Sequence, residues 1–308
     1  MIVASIDIGT NTVLLLIAKV ESNTCKLTPL VKEYRMPRIG QRTKISGLIT
    51  EEKIKKLLSV LDEYNKIIDK FKCDKVIVNG TNAFRMARNT ASIKKLIEDL
   101  YGYELNVISG EKEAEFAYLG AISELQEQPL TTVIDIGGSS TEIIFGRGNE
   151  INSKDSLQIG SVVATENFLL HTPPLQSEIK DLEVEVNKLL SKIELIEKPE
   201  KAIAIAGTAT TVACMVLGIK EFQESSVNNF VIGRHKLLKL LEDLFILSSN
   251  AILLKYGKVM EEREDLILAG IIILYQFMKS CDFENVTVST RGIRYGAIID
   301  YLKNEKLV

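Results

Sequence analysis

The sequence predicts an α/β protein organised as two related lobes, and three observations carry that prediction. Apolar runs of strand length alternate with longer amphipathic stretches throughout, the pattern of strands and helices layered around sheets. The segment Ile6-Asp7-Ile8-Gly9 returns as Ile134-Asp135-Ile136-Gly137 at the head of the second half. In both places a hydroxyl-rich turn follows the glycine and an apolar strand follows the turn, which favours duplication over coincidence. The third observation is length: 308 residues is about two domains at ~150 residues each.

Taken in order, residues 2–9 read as a buried strand and 13–18 as its return, a hairpin tipped by Gly9-Thr10-Asn11-Thr12. Residues 27–34 form a third strand, and 40–47 a polar, basic loop. Thr50 caps a helix over 51–71, where Ile54, Leu57, Leu58, Leu61, Ile67 and Ile68 share a face. Residues 75–80 are strand and loop, 82–101 mostly helix, and 104–108 strand, with Ser109 capping a helix over 110–123. The polar Gln126-Glu127-Gln128-Pro129 marks a boundary. The predicted domains are therefore 1–125 and 126–296, with a C-terminal helix near 297–308 packing back on the first. The second half repeats the hairpin over 132–145 around Gly137-Gly138-Ser139-Ser140. It continues with 157–159, a helix near 161–170, a break at Pro173-Pro174 and a charged helix over 175–193. A strand over 201–206 runs into Gly207, helices fill much of 208–217 and 234–280, and 261–265 is a charged start to the last of them. A strand over 284–289, a loop at 290–292 and a helix over 293–302 close the chain.

Composition removes several function classes. Apolar residues make up 46% and charged residues 26%, as in globular proteins, so low complexity and disorder are excluded. A formal charge of −3 gives no basic field for nucleic acid or anionic lipid. Cys25, Cys73, Cys214 and Cys281 are scattered without a CxxC pair, which argues against a zinc ribbon or disulfide-knit module and for a reducing cytoplasm. No basic segment precedes an apolar block at the N-terminus, so a signal peptide is not expected. Residues 266–278 are too short to span a bilayer, which needs about 20 apolar residues, and 202–219 is interrupted by Gly207-Thr208-Ala209-Thr210-Thr211. With only His171 and His235, neither a multi-histidine metal site nor a Ser-His-Asp triad is expected. Hydrolysis, if present, runs on carboxylates.

The two Asp-Ile-Gly turns are the leading candidates for chemistry. A carboxylate at a strand end, followed by glycine and short hydroxyl residues, surrounds an anion with backbone N–H groups and leaves the aspartate to hold a cation. Gly207-Thr208 and the threonines after it form a third such loop, entering a helix. Glu111, Glu113 and Glu115 open the helix capped by Ser109; acids favour helix N-termini, and the sequence does not say which of them faces the site. Arg85, Arg88, Arg291 and Arg294 are fork-shaped candidates for phosphate oxygens. Lys32, Arg35, Arg38, Arg42 and Lys44 read as a solvated basic face.

Together, Asp7-x-Gly9-x-Asn11, Thr81-x-Ala83-x-Arg85-x-Ala87-x-Asn89, Ser109-Gly110-x-x-Glu113-Ala114, Asp135-x-Gly137-Gly138-x-Ser140-Thr141-Glu142, Gly207-Thr208-Ala209-Thr210-Thr211 and Gly292-Ile293-Arg294-x-Gly296 resemble the exopolyphosphatase/guanosine pentaphosphate phosphohydrolase (Ppx/GppA) family over essentially the whole chain. The resemblance implies two ribonuclease-H-like domains of the actin, sugar kinase and heat-shock-70 superfamily, with an interdomain cleft, in the short two-domain form. It implies Glu113 as general base, with Glu142 catalytic as well. Asp7, Asp135 and Glu142 would be metal-associated acids, and Mg²⁺ or another hard divalent cation the cofactor. Phosphate contacts would come from Gly9, Thr10, Asn11, Thr12, Arg85, Gly137, Gly138, Ser139, Ser140, Gly207 and Thr208.

The implied activity is release of terminal phosphate from inorganic polyphosphate or guanosine pentaphosphate; the alternatives are a non-hydrolysing polyphosphate or guanosine-tetraphosphate binding regulator and an ATP-dependent kinase of the same superfamily. The implied setting is cytoplasmic, without nucleic acid or membrane, with a homodimer as the candidate assembly. Lys112, Glu115 and Ser139 depart from the family pattern, which has an acid, an arginine and a glycine there. Glu115 is expected to remove positive charge near the site and to alter the preferred phosphate chain.

Overall fold

The computed structural model describes residues 1–21, 26–41, 43–194 and 197–305, without the side chains of Lys44 and Ile45. Cys25, Arg42, the Lys44 side chain and the final three residues of the expected C-terminal helix lie outside that description. The chain divides into two units, one of Met1–Ser123 with Arg291–Val308 and one of Glu124–Thr290.

Unit 1 starts with β1 (Ile2–Ile8), β2 (Val13–Val20) and β3 (Leu27–Arg35), then α1 (Thr43–Ser46), α2 (Glu51–Phe71), β4 (Lys75–Gly80), α3 (Asn82–Met86), α4 (Thr90–Tyr101), β5 (Leu105–Val107) and α5 (Gly110–Ile122). Its sheet has the order β3-β2-β1-β4-β5. β1 pairs antiparallel with β2 and parallel with β4. Ile6, Ile8, Leu15 and Ile17 form one buried face with Leu57, Leu61 and Tyr64 of α2. α2 forms there because Thr50 accepts from the Lys53 amide, Glu51 and Glu52 occupy its first turn, and apolar positions recur at helical spacing. The buried Tyr64 hydroxyl donates to the Val13 carbonyl at 2.8 Å, so its polar end is satisfied.

Unit 2 runs through β6 (Leu130–Ile136), β7 (Thr141–Arg147), β8 (Glu150–Leu157), α6 (Ser161–Phe168), α7 (Gln176–Leu190), β9 (Lys201–Ile205), α8 (Ala206–Leu217), α9 (Glu224–Val227), β10 (Val231–Gly233), α10 (Arg234–Leu244), α11 (Ser249–Tyr256), a 3₁₀ turn (Gly257–Met260), α12 (Ile267–Ser280) and β11 (Asn285–Val288). Its sheet order is β10-β11-β9-β6-β7-β8. From β8 to β11 this repeats unit 1 from β3 to β5, with β10 added at the edge. The repetition reaches fine detail. Gly9 donates to the Thr12 carbonyl at 2.8 Å, and Gly137 to the Ser140 carbonyl at 3.0 Å. Irregular pairing then falls at equivalent places, between Ile17 and Ala18 and between Phe145 and Gly146.

The chain re-enters unit 1 as α13 (Ile293–Asn304), antiparallel to α5 on the face of the sheet opposite α2. The approach is backbone against backbone: a Cβ at Gly296 would overlap the Phe116 carbonyl, and one at Gly120 the Gly292 carbonyl.

Several expectations change. β8 and β10 are strands that the sequence did not indicate: β8 (EINSKDSL) is a polar edge strand, alternating exposed and half-buried, and β10 has only three residues. Part of the loop over 40–47 is the short α1. The stretch 82–101 is two helices, because Thr90 turns its hydroxyl to the Phe84 and Ala87 carbonyls at the break. The stretch 234–280 is three helices and a 3₁₀ turn, with Ser248 capping α11; residues 261–266 are turns, and α12 begins at Ile267. Among the described residues no helix is long and apolar enough to cross a membrane.

The α5–α13 contact makes a stability prediction. Gly296→Ala is expected to lower the free energy of unfolding by about 1–3 kcal/mol, since overpacking there meets backbone. Gly110→Ala, where nothing lies within 4 Å of the added carbon, is expected to leave it unchanged or raise it by up to about 1 kcal/mol. Urea unfolding of both variants checks this; equal effects would contradict it.

Candidate functional site

In unit 1 the candidate residues gather at the end of β1. Ile6 and Ile8 point into the core with α2, so strand alternation sends Asp7 to the opposite face, where α13 packs on β1. The residue is only 7% exposed, and among the described residues its Oδ1 has no hydrogen-bond partner. Loss of water raises its pKa from 3.8 to about 7; the Glu113 carboxylate adds to the rise and the Arg294 guanidinium opposes it. Of the three acids opening α5, Glu113 is thus the one whose charge bears on Asp7. Its Oε2 accepts from Arg85 Nη1 at 2.7 Å, and that nitrogen also donates to the Ile108 carbonyl at 2.9 Å. Arg85 therefore orients Glu113 in this structure, on the strength of a charge-assisted bond at about a third exposure.

The turn beyond Asp7 is laced to the loop after β3. Thr10 O accepts from Gly40 N at 2.8 Å and Asn11 O from Arg38 N at 3.0 Å, while Gly40 lacks the Cβ that would overlap the Thr10 methyl. Gly9, Thr10 and Thr12 are half-buried and Asn11 is exposed.

Unit 2 presents the second hairpin. Asp135 and Glu142 are cross-strand partners, placing two carboxylates side by side on one face, a pairing that repels without a counter-charge. Glu142 Oε1 accepts from Ser140 at 2.7 Å and Ser156 at 3.1 Å. Ser139 is exposed at the tip. The carbonyls of Gly137 and Gly138 accept from Ser161, Val162 and Val163 at the start of α6, and Gly160 lacks the Cβ that would strike them. At the third loop α8 begins at Ala206, which sits at φ 65°. Thr208 is buried, its hydroxyl 3.3 Å from the Ile136 carbonyl, so that side chain fastens the loop to β6. Gly207 lies directly against the guanidinium of Arg263.

Sequence reasoning missed the place of Arg263, which lies 56 positions from the glycine it covers and has no local signal. Arg294, a candidate for phosphate oxygens in the sequence, donates to the Leu15 carbonyl at 2.8 Å and lies near enough to influence Asp7. Its motif, Gly292-Ile293-Arg294-x-Gly296, was the available clue. Glu115 was expected to change the charge seen by substrate. Its carboxylate pairs with Lys112 at 3.0 Å, so the two departures from the family pattern are in contact with each other. Among the solvated basic face, Arg35 pairs with Glu33 and Glu63 and Lys32 lies 5.1 Å from the centre of the Tyr295 ring.

The donor sets suit a hard divalent cation. Mg²⁺ keeps much of its water and commonly takes one or two protein carboxylates together with phosphate oxygens. An unpartnered buried carboxylate oxygen in unit 1 and an adjacent acidic pair in unit 2 offer that chemistry. Among the described residues no group of three or more His, Cys, Asp and Glu forms a closed metal cage.

Asp7 sets a pH dependence of stability. Its native pKa exceeds the unfolded value, so the native state holds a proton that the unfolded state has released. Without divalent metal, stability is expected to fall as pH rises from about 4 to about 7, by on the order of a few kcal/mol, and then to level. Asp7→Asn is expected to abolish that decline. Urea unfolding near pH 5 and near pH 8 in chelator tests it; the same decline in both proteins would refute the assignment.

Comparison with known proteins places this geometry in a family. Residues 16–305 match the Ppx/GppA phosphatase family. The chain is 31% identical, over 98% of its length, to a bifunctional 3-dehydroquinate synthase/phosphatase of Fusobacterium nucleatum, and spans 47% of that longer protein. It is 26% identical to exopolyphosphatase 2 of Mycobacterium tuberculosis over 96% of each chain. A crystal structure of the Aquifex aeolicus family member superposes with a TM-score of 0.91 at 30% identity, over 99% of this chain and 98% of that one. The two α/β units accordingly have the ribonuclease-H-like fold of the actin-like superfamily, and the chain belongs to the Ppx/GppA phosphatase family.

Proposed function

We propose that this chain hydrolyses terminal phosphoanhydride bonds, of inorganic polyphosphate or guanosine pentaphosphate, with Glu113 as general base. The observation that carries the reading is the placement of Glu113: on the first turn of α5, anchored by Arg85 and close enough to Asp7 to raise its pKa. Relatives named exopolyphosphatase and guanosine-5'-triphosphate,3'-diphosphate pyrophosphatase supply the two substrate classes.

Glu113 would orient a water molecule and take its proton as the oxygen attacks phosphorus in line with the leaving phosphate. Arg85 holds that carboxylate in place and offers its remaining N–H groups to non-bridging oxygens. The backbone N–H groups of the glycine turns, with Ser139 at the exposed tip and Arg263 beside Gly207, would receive phosphate charge. Carboxylates suited to Mg²⁺ are Asp7 in unit 1 and Asp135 with Glu142 in unit 2; the ion, when bound, neutralises charge on the phosphate oxygens.

Glu113→Gln is expected to lower kcat about 10²–10⁴-fold with KM little changed, and chelation of divalent cations to abolish turnover. Phosphate release from both substrates, with and without Mg²⁺, measures both effects. Tight binding without release would replace this reading with that of a binding regulator, and unchanged turnover in the variant would remove Glu113 from the role.

A further inference from the structure

α5 and α13 meet along an antiparallel seam with three successive contacts, one helical turn apart. At two of them, Gly120 against Gly292 and Phe116 against Gly296, a glycine brings backbone to backbone. Both lie C-terminal to the first turn of α5, which carries Glu113, and leave that turn to be held by other contacts. The third contact, one turn further toward the start of α5, joins Lys112 to Asp300: Nζ lies 2.7 Å from Oδ1, with the aspartate side chain 16% exposed. The same ammonium reaches Glu115 at 3.0 Å and lies 5.0 Å from the centre of the Phe116 ring. Burial acts to lower the pKa of Lys112, and the bonds to Asp300 and Glu115 outweigh it, leaving the ammonium firmly charged. Lys112 sits between the cap Ser109, whose hydroxyl accepts from the Lys112 amide, and the adjacent Glu113.

We propose that Lys112 and Asp300 are positioning residues for Glu113. The ion pair ties the first turn of α5 to α13, one turn beyond the last glycine contact, and so fixes where the next carboxylate stands relative to Arg85 and Asp7. Misplacement of a reacting group by about 1 Å is enough to cost ~10²-fold in rate. The inference rests on the reading of Glu113 as the base, and its test separates the two.

The experiment is a charge exchange, with kcat and KM measured on polyphosphate and Mg²⁺ for Lys112→Asp, Asp300→Lys and the double variant. The expected result is a kcat about tenfold lower in each single variant, KM within about twofold, and recovery of most of the loss in the double variant. Lys112→Met, which keeps the stem over Phe116, and Lys112→Arg, which keeps the pair, cover a failure of the reversals to fold; Met is expected to behave as the single reversals and Arg as wild type. Hydrogen exchange at the Glu113 amide, bonded to the Ser109 carbonyl at 2.9 Å, reads how firmly the first turn of α5 is held, without reference to catalysis. Faster exchange there in Lys112→Met, beyond any change in global stability, supports the proposal even if wild type releases no phosphate, an outcome that would defeat the reading of Glu113 alone. Unchanged kcat in folded single variants of an active enzyme, or a double variant that folds without recovery, would overturn it, as would unaltered exchange at Glu113 in an inactive protein.

Discussion

A carboxylate driven out of water at the end of β1 is the constraint that the rest of unit 1 answers. Asp7 cannot lie on the hydrophobic face shared with α2, because Ile6 and Ile8 already occupy it. It is left on the opposite face, against α13, where it is almost wholly buried. There Glu113 of α5 and Arg294 of α13 bear on it with opposite sign. A group whose charged form is costly in isolation is poised to respond to an arriving cation. Stability is given up there, as is common where binding chemistry is assembled.

The duplicated hairpin shows how one local design was turned to two environments. Both copies close the turn in the same way and break their pairing at the same place. They differ opposite the aspartate, where the first has Leu14 and the second Glu142. An apolar partner accompanies a buried carboxylate; an acidic partner, with Ser140 and Ser156 on its oxygen, accompanies a half-exposed one. The difference of a single side chain thus parallels the difference in electrostatics.

What could be read from the residues alone was whatever is encoded locally. The hairpins, α2 with its threonine cap and the start of α5 at Ser109 follow from apolar period and capping chemistry. β8 escaped because an edge strand of alternating polar residues needs only backbone partners, which leave no apolar signature. The long apolar stretch ending in α12 concealed its breaks for the opposite reason. Within the site, Lys112 and Glu115 stood out as anomalies, although their spacing of three on a helix already allowed a pair. Asp300, Arg263 and the Arg85–Glu113 bond are long-range, and only the assembled fold brings them into place.

The chemistry of unit 1 turns on the state of the Asp7 carboxyl. Its titration, followed by carbon-13 NMR of the labelled carboxyl group with Asp7→Asn for assignment, tests that directly. The expected midpoint is about 7 in metal-free protein, moving to lower pH when Mg²⁺ is added. A midpoint near the ordinary aspartate value in metal-free protein, or one indifferent to the cation, would contradict it.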